Sequence, residues 1–192
     1  MSTEEIWSNR YQNGGNSGSG SYNELYIFKR DIINDIINQN SIKSIIDFGC
    51  GDGNQIKEIN VKNYIGVDIA KTSIDICKMK YNNDSTKKFY TYNEIDTMNL
   101  QSDLTMSLDV LYHILEEELY VTYLKNLFSS SSNYVLIYSN NYNGHMEGHM
   151  HTRKFTNNIE NMFPNWNLHK KINQIYPKKS SADFYLYKKN KT

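Results

Sequence analysis

The chain has 192 residues, with 21 Lys plus Arg balancing 21 Asp plus Glu, and only two cysteines. One domain of this length buries roughly 70% of its unfolded surface and needs no disulfide staples, and the balanced charge provides no global positive field for a nucleic-acid backbone or an anionic membrane. Cys50 and Cys77 are too few for a disulfide framework and lack metal-site spacing, which fits a reduced compartment.

The opening residues, Met1-Ser-Thr-Glu-Glu-Ile-Trp7, carry acids where a signal peptide has its apolar core, and no run of about 18 apolar residues occurs. These features predict a soluble, cytoplasmic protein without membrane contact. Asn13-Gly-Gly-Asn-Ser-Gly-Ser-Gly-Ser21 reads as a mobile loop. Residues 1–22 are therefore expected to form a flexible arm, able to act as a lid, ahead of a single domain over 23–192.

Leu25, Ile27, Phe28, Ile32, Ile33, Ile36 and Ile37 recur at helical spacing over residues 23–38. Ser44-Ile-Ile-Asp-Phe48 then predicts a strand that stops at a glycine cluster, residues 54–59 a helix, and Asn63-Tyr-Ile-Gly-Val67 a second strand. Thr72 or Ser73 is placed to cap a helix running through Tyr81. Strands are expected at 89–92, 104–108 and 134–138, with an amphipathic helix over 116–128. Alternating strands and helices predict an α/β, doubly wound, mostly parallel sheet. After Asn140 the alternation ends, and residues 167–175 and 182–188 suggest an antiparallel hairpin at the sheet's C-terminal edge.

The glycine cluster carries the chemistry. Asp47-Phe-Gly-Cys-Gly-Asp-Gly53 sets three glycines at alternate positions where a strand ends, so backbone can approach a ligand closely. A dinucleotide turn of the G-x-G-x-x-G type needs glycine at position 54, which is Asn, and Asp47 and Asp52 put negative charge where a pyrophosphate would sit. S-adenosylmethionine, with a sulfonium, an α-ammonium and no phosphate, suits such a turn. Asp47-x-Gly49-x-Gly51-x-Gly53 resembles the first motif of class I S-adenosylmethionine-dependent methyltransferases, and Gly66-Val-Asp68-Ile-Ala70 resembles their second.

The resemblance implies a Rossmann-like methyltransferase fold with this cofactor and no metal. It places Asp47, Gly49, Cys50 and Gly51 at the methionine part, Asp68 on the ribose hydroxyls, and Ile69 and Leu108 beside the cofactor. Ser102 to Leu115 is similar to the fourth-strand motif of small-molecule methyltransferases, although Tyr112 stands where many relatives carry an acid. Asn93, Glu94 and Asp96 lie after the third strand, where the family contacts the adenine, and the resemblance does not choose among them. His113 and His151 are candidate general bases, since an unperturbed imidazole titrates at about 6.5. Asp109 and Tyr112 are candidates to orient the acceptor.

The implied reaction is methyl transfer to an oxygen or nitrogen of a small polar molecule. The Trp7 to Tyr22 segment is similar to the opening of bacterial methyltransferases associated with sugars and surface polysaccharides. Two alternatives stay open: a protein or nucleic-acid methyltransferase, from the lysine pairs at 170–171, 178–179 and 188–189, and a non-catalytic cofactor-binding scaffold. His145-Met-Glu-Gly-His149-Met-His151 reads either as a metal cluster or as a loop closing over substrate through His151 or Arg153.

Overall fold

The computed structural model describes residues 1–146 and 148–190. Nine strands and six α-helices follow one another as α1 (Thr3–Gln12), α2 (Asn23–Asn40), β1 (Ser44–Phe48), β2 (Asn63–Asp68), α3 (Lys71–Lys80), β3 (Lys87–Thr91), α4 (Tyr92–Ile95), β4 (Ser102–Leu108), α5 (Glu117–Ser129), β5 (Ser131–Ser139), β6 (Gly144–Met146), β7 (Met150–Thr152), α6 (Phe155–Met162), β8 (Trp166–Ile172) and β9 (Asp183–Lys189) among the described residues. Seven strands form one sheet in the order β3-β2-β1-β4-β5-β9-β8. The first five run parallel, while β9 and β8 are antiparallel, as the C-terminal hairpin predicted.

The strands are short apolar runs because both faces of the sheet are covered. Ile45, Leu104, Leu136 and Phe184 join Phe28, Ile33 and Ile37 of α2 and Ile74 of α3 in one core. Ile46, Val135, Ile137 and Tyr185, on the opposite pleat, join Leu124, Leu127 and Phe128 of α5 and Phe155 and Ile159 of α6. Leu136, at the centre of β5, is fully buried. Leu136→Ala is expected to cost about 2–5 kcal/mol through lost burial and the cavity it leaves. A denaturant titration checks this; a midpoint unchanged from the parent chain would contradict the packing described.

Two local expectations are corrected. Residues 54–59 form successive turns, not an α-helix, with i→i+3 contacts from Lys57 N to Asn54 O and from Ile59 N to Ile56 O. Side chains of neighbouring segments take over there: Asp52 Oδ1 accepts from Asn54 N at 2.9 Å, and Asn34 Oδ1 accepts from Asn60 N at 3.1 Å. The third helix begins at Lys71 with Ala70 as its cap residue, ahead of Thr72 and Ser73. No side chain caps its first turn; Asp68 Oδ1 instead accepts from the amide of the cap residue Ala70 at 2.9 Å and fixes where the helix starts.

Chain order steps from β1 outward to β2 and β3, then returns to β4 on the other side of β1. Loops leaving the C-terminal ends of β1 and β4 therefore diverge and open a crevice, the usual place for a ligand in such sheets. No helix among the described residues is long and apolar enough to cross a membrane.

Candidate active site

The crevice begins at the glycine turn after β1. Gly49, Gly51 and Gly53 all have left-handed backbone, with φ of 85°, 57° and 68°. All three also face crowding, Gly49 and Gly51 the most severely. A Cβ on Gly49 would lie 2.3 Å from Val110 Cγ2, and one on Gly51 would lie 2.2 Å from Ser17 Oγ. The turn is pinned to β2 by Gly49 N and Cys50 N, which both donate to the Val67 carbonyl.

Asp68 closes the turn from the neighbouring strand. Its Oδ2 accepts from Gly51 N at 3.0 Å while its Oδ1 holds Ala70, so one carboxylate joins the glycine turn to the start of α3. Burial raises its pKa against the lowering effect of the Ala70 and Gly51 amides. Asp47 is 2% exposed, and Tyr64 Oη donates to its Oδ2 at 2.7 Å. Burial pushes the Asp47 carboxyl up to about 7, opposed by the Tyr64 bond and reinforced by the charge on Asp68.

That shift has a definite sign. In the folded chain Asp47 keeps its proton at pH values where an unfolded aspartic acid, near 3.8, has lost it. The corresponding stability is present below about pH 4 and is lost as pH rises towards 7. Asp47→Asn is therefore expected to flatten the fall of Tm between pH 4 and 7 and to stabilise the ligand-free chain at pH 8. Melting curves across that range check it, and an unchanged slope would count against a buried, protonated Asp47.

Asp109 follows β4 in a left-handed conformation, φ 59°, which aspartate tolerates better than most residues. Lys29 Nζ, on a fully buried side chain of α2, donates to Asp109 Oδ2 at 2.6 Å, and Tyr112 Oη donates to Oδ1 at 2.7 Å. A single 3₁₀ turn, Leu111–His113, carries His113 to the rim of the crevice. His113 Nδ1 lies 3.2 Å from the His149 carbonyl, which can only accept, so Nδ1 is assigned the hydrogen and Nε2 keeps its lone pair. Burial pushes the His113 pKa down to about 4, and the ring is neutral near pH 7. Trp7 meets the His113 ring edge-on at 5.0 Å, and His149 stacks on it at 5.0 Å.

The N-terminal arm packs on this site. Ser2 and Glu5 form a capping box that starts α1. Glu116 accepts from the Thr3 amide at 2.9 Å and from its hydroxyl at 2.5 Å. The glycine-rich loop docks through Asp52, whose Oδ2 accepts from Ser17 N at 3.0 Å and from Tyr22 Oη at 2.8 Å. Ser17 Oγ in turn accepts from Asp52 N and lies 3.0 Å from Tyr11 Oη.

One cavity results, and Asp47, Gly49, Cys50, Gly51, Asp68, Ile69 and Leu108 all line it. Asp109 and His113 line it too, whereas Tyr112 reaches it only through Asp109 and His151 stands outside, on β7. Asn93, Glu94 and Asp96 are exposed and absent from the lining; Glu94 instead closes a capping box with Thr91. Tyr92 lines the cavity in their place. Arg153 is drawn away from any substrate: its guanidinium donates to Glu117 Oε2, the Ile114 carbonyl and the Leu115 carbonyl. Of the proposed metal cluster, Glu147 lies outside the described residues, and no group of three or more metal-ligating side chains occurs among the described residues.

Asp47 Oδ1, Gln55 Oε1 and Tyr92 Oη are buried without a partner, and all three side chains line the cavity. Buried polar atoms are normally satisfied, so this lining has capacity for a polar ligand's donors. These oxygens beside an acidic glycine turn can accept from the ammonium and ribose hydroxyls of S-adenosylmethionine.

Residues 46–129 match the family model of a methyltransferase domain. No curated protein matches the chain in sequence. Among solved structures it is similar to magnesium protoporphyrin IX methyltransferase from Synechocystis PCC 6803 with bound S-adenosylhomocysteine, with TM-score 0.73 and 11% identity over 97% of this chain and 98% of that one. It is similar also to the N-methyltransferase NodS from Bradyrhizobium japonicum WM9 in complex with S-adenosylhomocysteine, with TM-score 0.73 and 10% identity over 100% of both chains. A third likeness is to an S-adenosylmethionine-dependent methyltransferase from Clostridium acetobutylicum ATCC 824, with TM-score 0.68 and 14% identity over 97% of both chains. The matched segment, residues 46–129, is that of a methyltransferase domain, and over its whole length the chain has the Rossmann-like fold of the S-adenosylmethionine-dependent methyltransferases it is similar to.

Proposed function

We propose that the protein transfers a methyl group to a nitrogen or oxygen of a small polar acceptor, sugars and polysaccharide precursors included. The observation that carries this reading is the single cavity in which the acidic glycine turn, Asp68 and the His113–Asp109 wall meet. In this reading Asp47, Gly49, Cys50 and Gly51 border the methionine part of the cofactor, Asp68 takes the ribose hydroxyls, and Ile69 and Leu108 pack beside them. The bound cofactor supplies an already electrophilic methyl group, which leaves the protein mainly the work of alignment, worth roughly 7–11 kcal/mol for well-oriented reactants.

His113, neutral and fixed as the Nδ1–H tautomer, presents Nε2 to accept a hydrogen bond or proton from the acceptor. Asp109 orients it, and Tyr112 acts through Asp109. His151 is the second candidate base and would need the β6–β7 hairpin to move inward. Trp7 and the arm cover the site and exclude water. The lysine pairs favour a macromolecular substrate less than the sequence suggested, because Lys171 pairs with Asp183 and Lys179 with Glu24.

A methyl-labelled cofactor incubated with the protein and fractionated cell extract tests the reading. Label is expected in the small-molecule fraction. Label confined to protein or nucleic acid, or none anywhere while the cofactor binds, would contradict it.

A further inference from the structure

The charges around the cavity narrow the acceptor further. Among the described residues, the lining holds three aspartates, Asp47, Asp68 and Asp109, and neither lysine nor arginine. Behind the lining, Lys29 is 0% exposed and bonded to Asp109, with Nζ 5.1 Å from the Tyr138 ring centroid. A phosphorylated or carboxylated acceptor would meet the Asp109 carboxylate, and the one ammonium beside it, that of Lys29, is already paired with that carboxylate. Beside Asp109 the wall is aromatic: Trp7, His113 and Tyr11 line the cavity, and His149 backs His113. Aromatic faces with one carboxylate are a cation-recognising combination.

Asp109 is built to stay in place. Its left-handed backbone costs free energy in isolation and persists because Lys29, Tyr112 and the Tyr138 carbonyl, which accepts from Asp109 N at 2.9 Å, fix it together. Each carboxylate oxygen receives one of those side-chain donors and retains a second lone-pair site. The side chain is 16% exposed, so the carboxylate is not sealed off from the cavity.

We propose that the acceptor is an amine carrying no phosphate or carboxylate, that Asp109 receives its nitrogen, and that Lys29 is the positioning residue that holds Asp109 for this purpose. The proposal rests on the methyl-transfer reading above. An ammonium acceptor first loses one proton to bulk solvent, and the free amine, its lone pair exposed, is the species that reacts. The nitrogen lone pair then forms the C–N bond as the C–S bond breaks, and that electron pair stays on sulfur as a neutral thioether. The sulfonium's positive charge reappears on the methylated nitrogen, facing Asp109, so a primary amine leaves as a secondary ammonium with no further proton to remove. A hydroxyl acceptor would instead need a base able to take its proton during attack. The buried His113, whose pKa is pushed down to about 4, is poorly matched to that task.

The full-length protein is incubated with methyl-labelled cofactor and either glucosamine, tyramine or putrescine, each beside its hydroxyl counterpart (glucose, 4-hydroxyphenylethanol, 1,4-butanediol) and glucosamine 6-phosphate. Label is expected in at least one amine at about ten times or more its rate in the matched alcohol or phosphate, since each lost charge contact is worth about a factor of ten. Equal or faster transfer to the alcohols or to the phosphate overturns the proposal, as does an absence of label in every amine while the cofactor binds. Failure to bind the cofactor would instead defeat the methyl-transfer reading itself.

Lys29→Met and Asp109→Asn are each expected to leave cofactor Kd within about threefold and to lower kcat/KM for the amine by roughly 10–100-fold. The double variant removes both buried charges, so its Tm should recover towards the parent value while kcat/KM stays low. Joint recovery of Tm and kcat/KM would show a merely structural ion pair. A tenfold loss of cofactor affinity in Asp109→Asn would assign that carboxylate to the cofactor. Either result overturns the proposal.

Discussion

Asp68→Ala is expected to weaken cofactor binding by at least about 100-fold, or roughly 2.7 kcal/mol, and to lower Tm as well. The residue is 7% exposed, and its two oxygens hold Gly51 N and Ala70 N at 3.0 and 2.9 Å. Alanine leaves both amides without an acceptor, and a hydrogen bond to a charged group is worth about 1.5–3 kcal/mol. The glycine turn and the start of α3 lose their common anchor, and the ribose loses its acceptor. Asp68→Asn keeps one acceptor oxygen but turns an NH₂ towards the other amide, so it should fall between parent and alanine. Titration calorimetry and melting curves together check this. An affinity for S-adenosylmethionine equal to the parent's would remove Asp68 from the site.

Gly51→Ala should have the next largest effect. At φ 57° any Cβ is strained, and this one would sit 2.2 Å from Ser17 Oγ and 2.9 Å from Tyr11 Oη. Left-handed backbone costs alanine about 1–2 kcal/mol. The contact with Ser17 is harder to absorb, because Asp52 holds that residue through both its amide and its hydroxyl. The arm must lift, and the turn's approach to the cofactor changes with it. The expected result is a cofactor Kd raised about tenfold or more, with faster proteolysis within residues 13–21. Adding Ser17→Gly removes the obstructing hydroxyl and should restore part of the affinity. If the single variant binds as the parent does, the glycine turn is not where the cofactor lies.

The sheet was legible because its strands are local apolar runs closed by turn residues, and the acidic glycine turn because three glycines and two acids carry their meaning within about twenty positions. Those signals located β1 to β5, the terminal hairpin, and the turn residues and Asp68 of the cavity, while Ile69 and Leu108 came only from the family resemblance. What escaped depends on distant contacts. Lys29 looks like a surface lysine on an amphipathic helix until the fold brings Asp109, 80 positions away, to its ammonium. Trp7 and His149 become part of the site only when the arm and the β6–β7 hairpin converge on His113. Helix α6 buries only Phe155 and Ile159 amid polar residues, which is too weak a pattern to read. Tyr92 was hidden by its more polar neighbours, although its buried, unpartnered hydroxyl marks it as cavity lining.

The most direct test of the account is calorimetric titration of the purified chain with S-adenosylmethionine, S-adenosylhomocysteine and NAD. Saturable one-to-one binding of the first two, with no measurable heat from NAD, is the predicted result. NAD binding as tightly as S-adenosylmethionine, or no binding of S-adenosylmethionine at millimolar concentration, would contradict it.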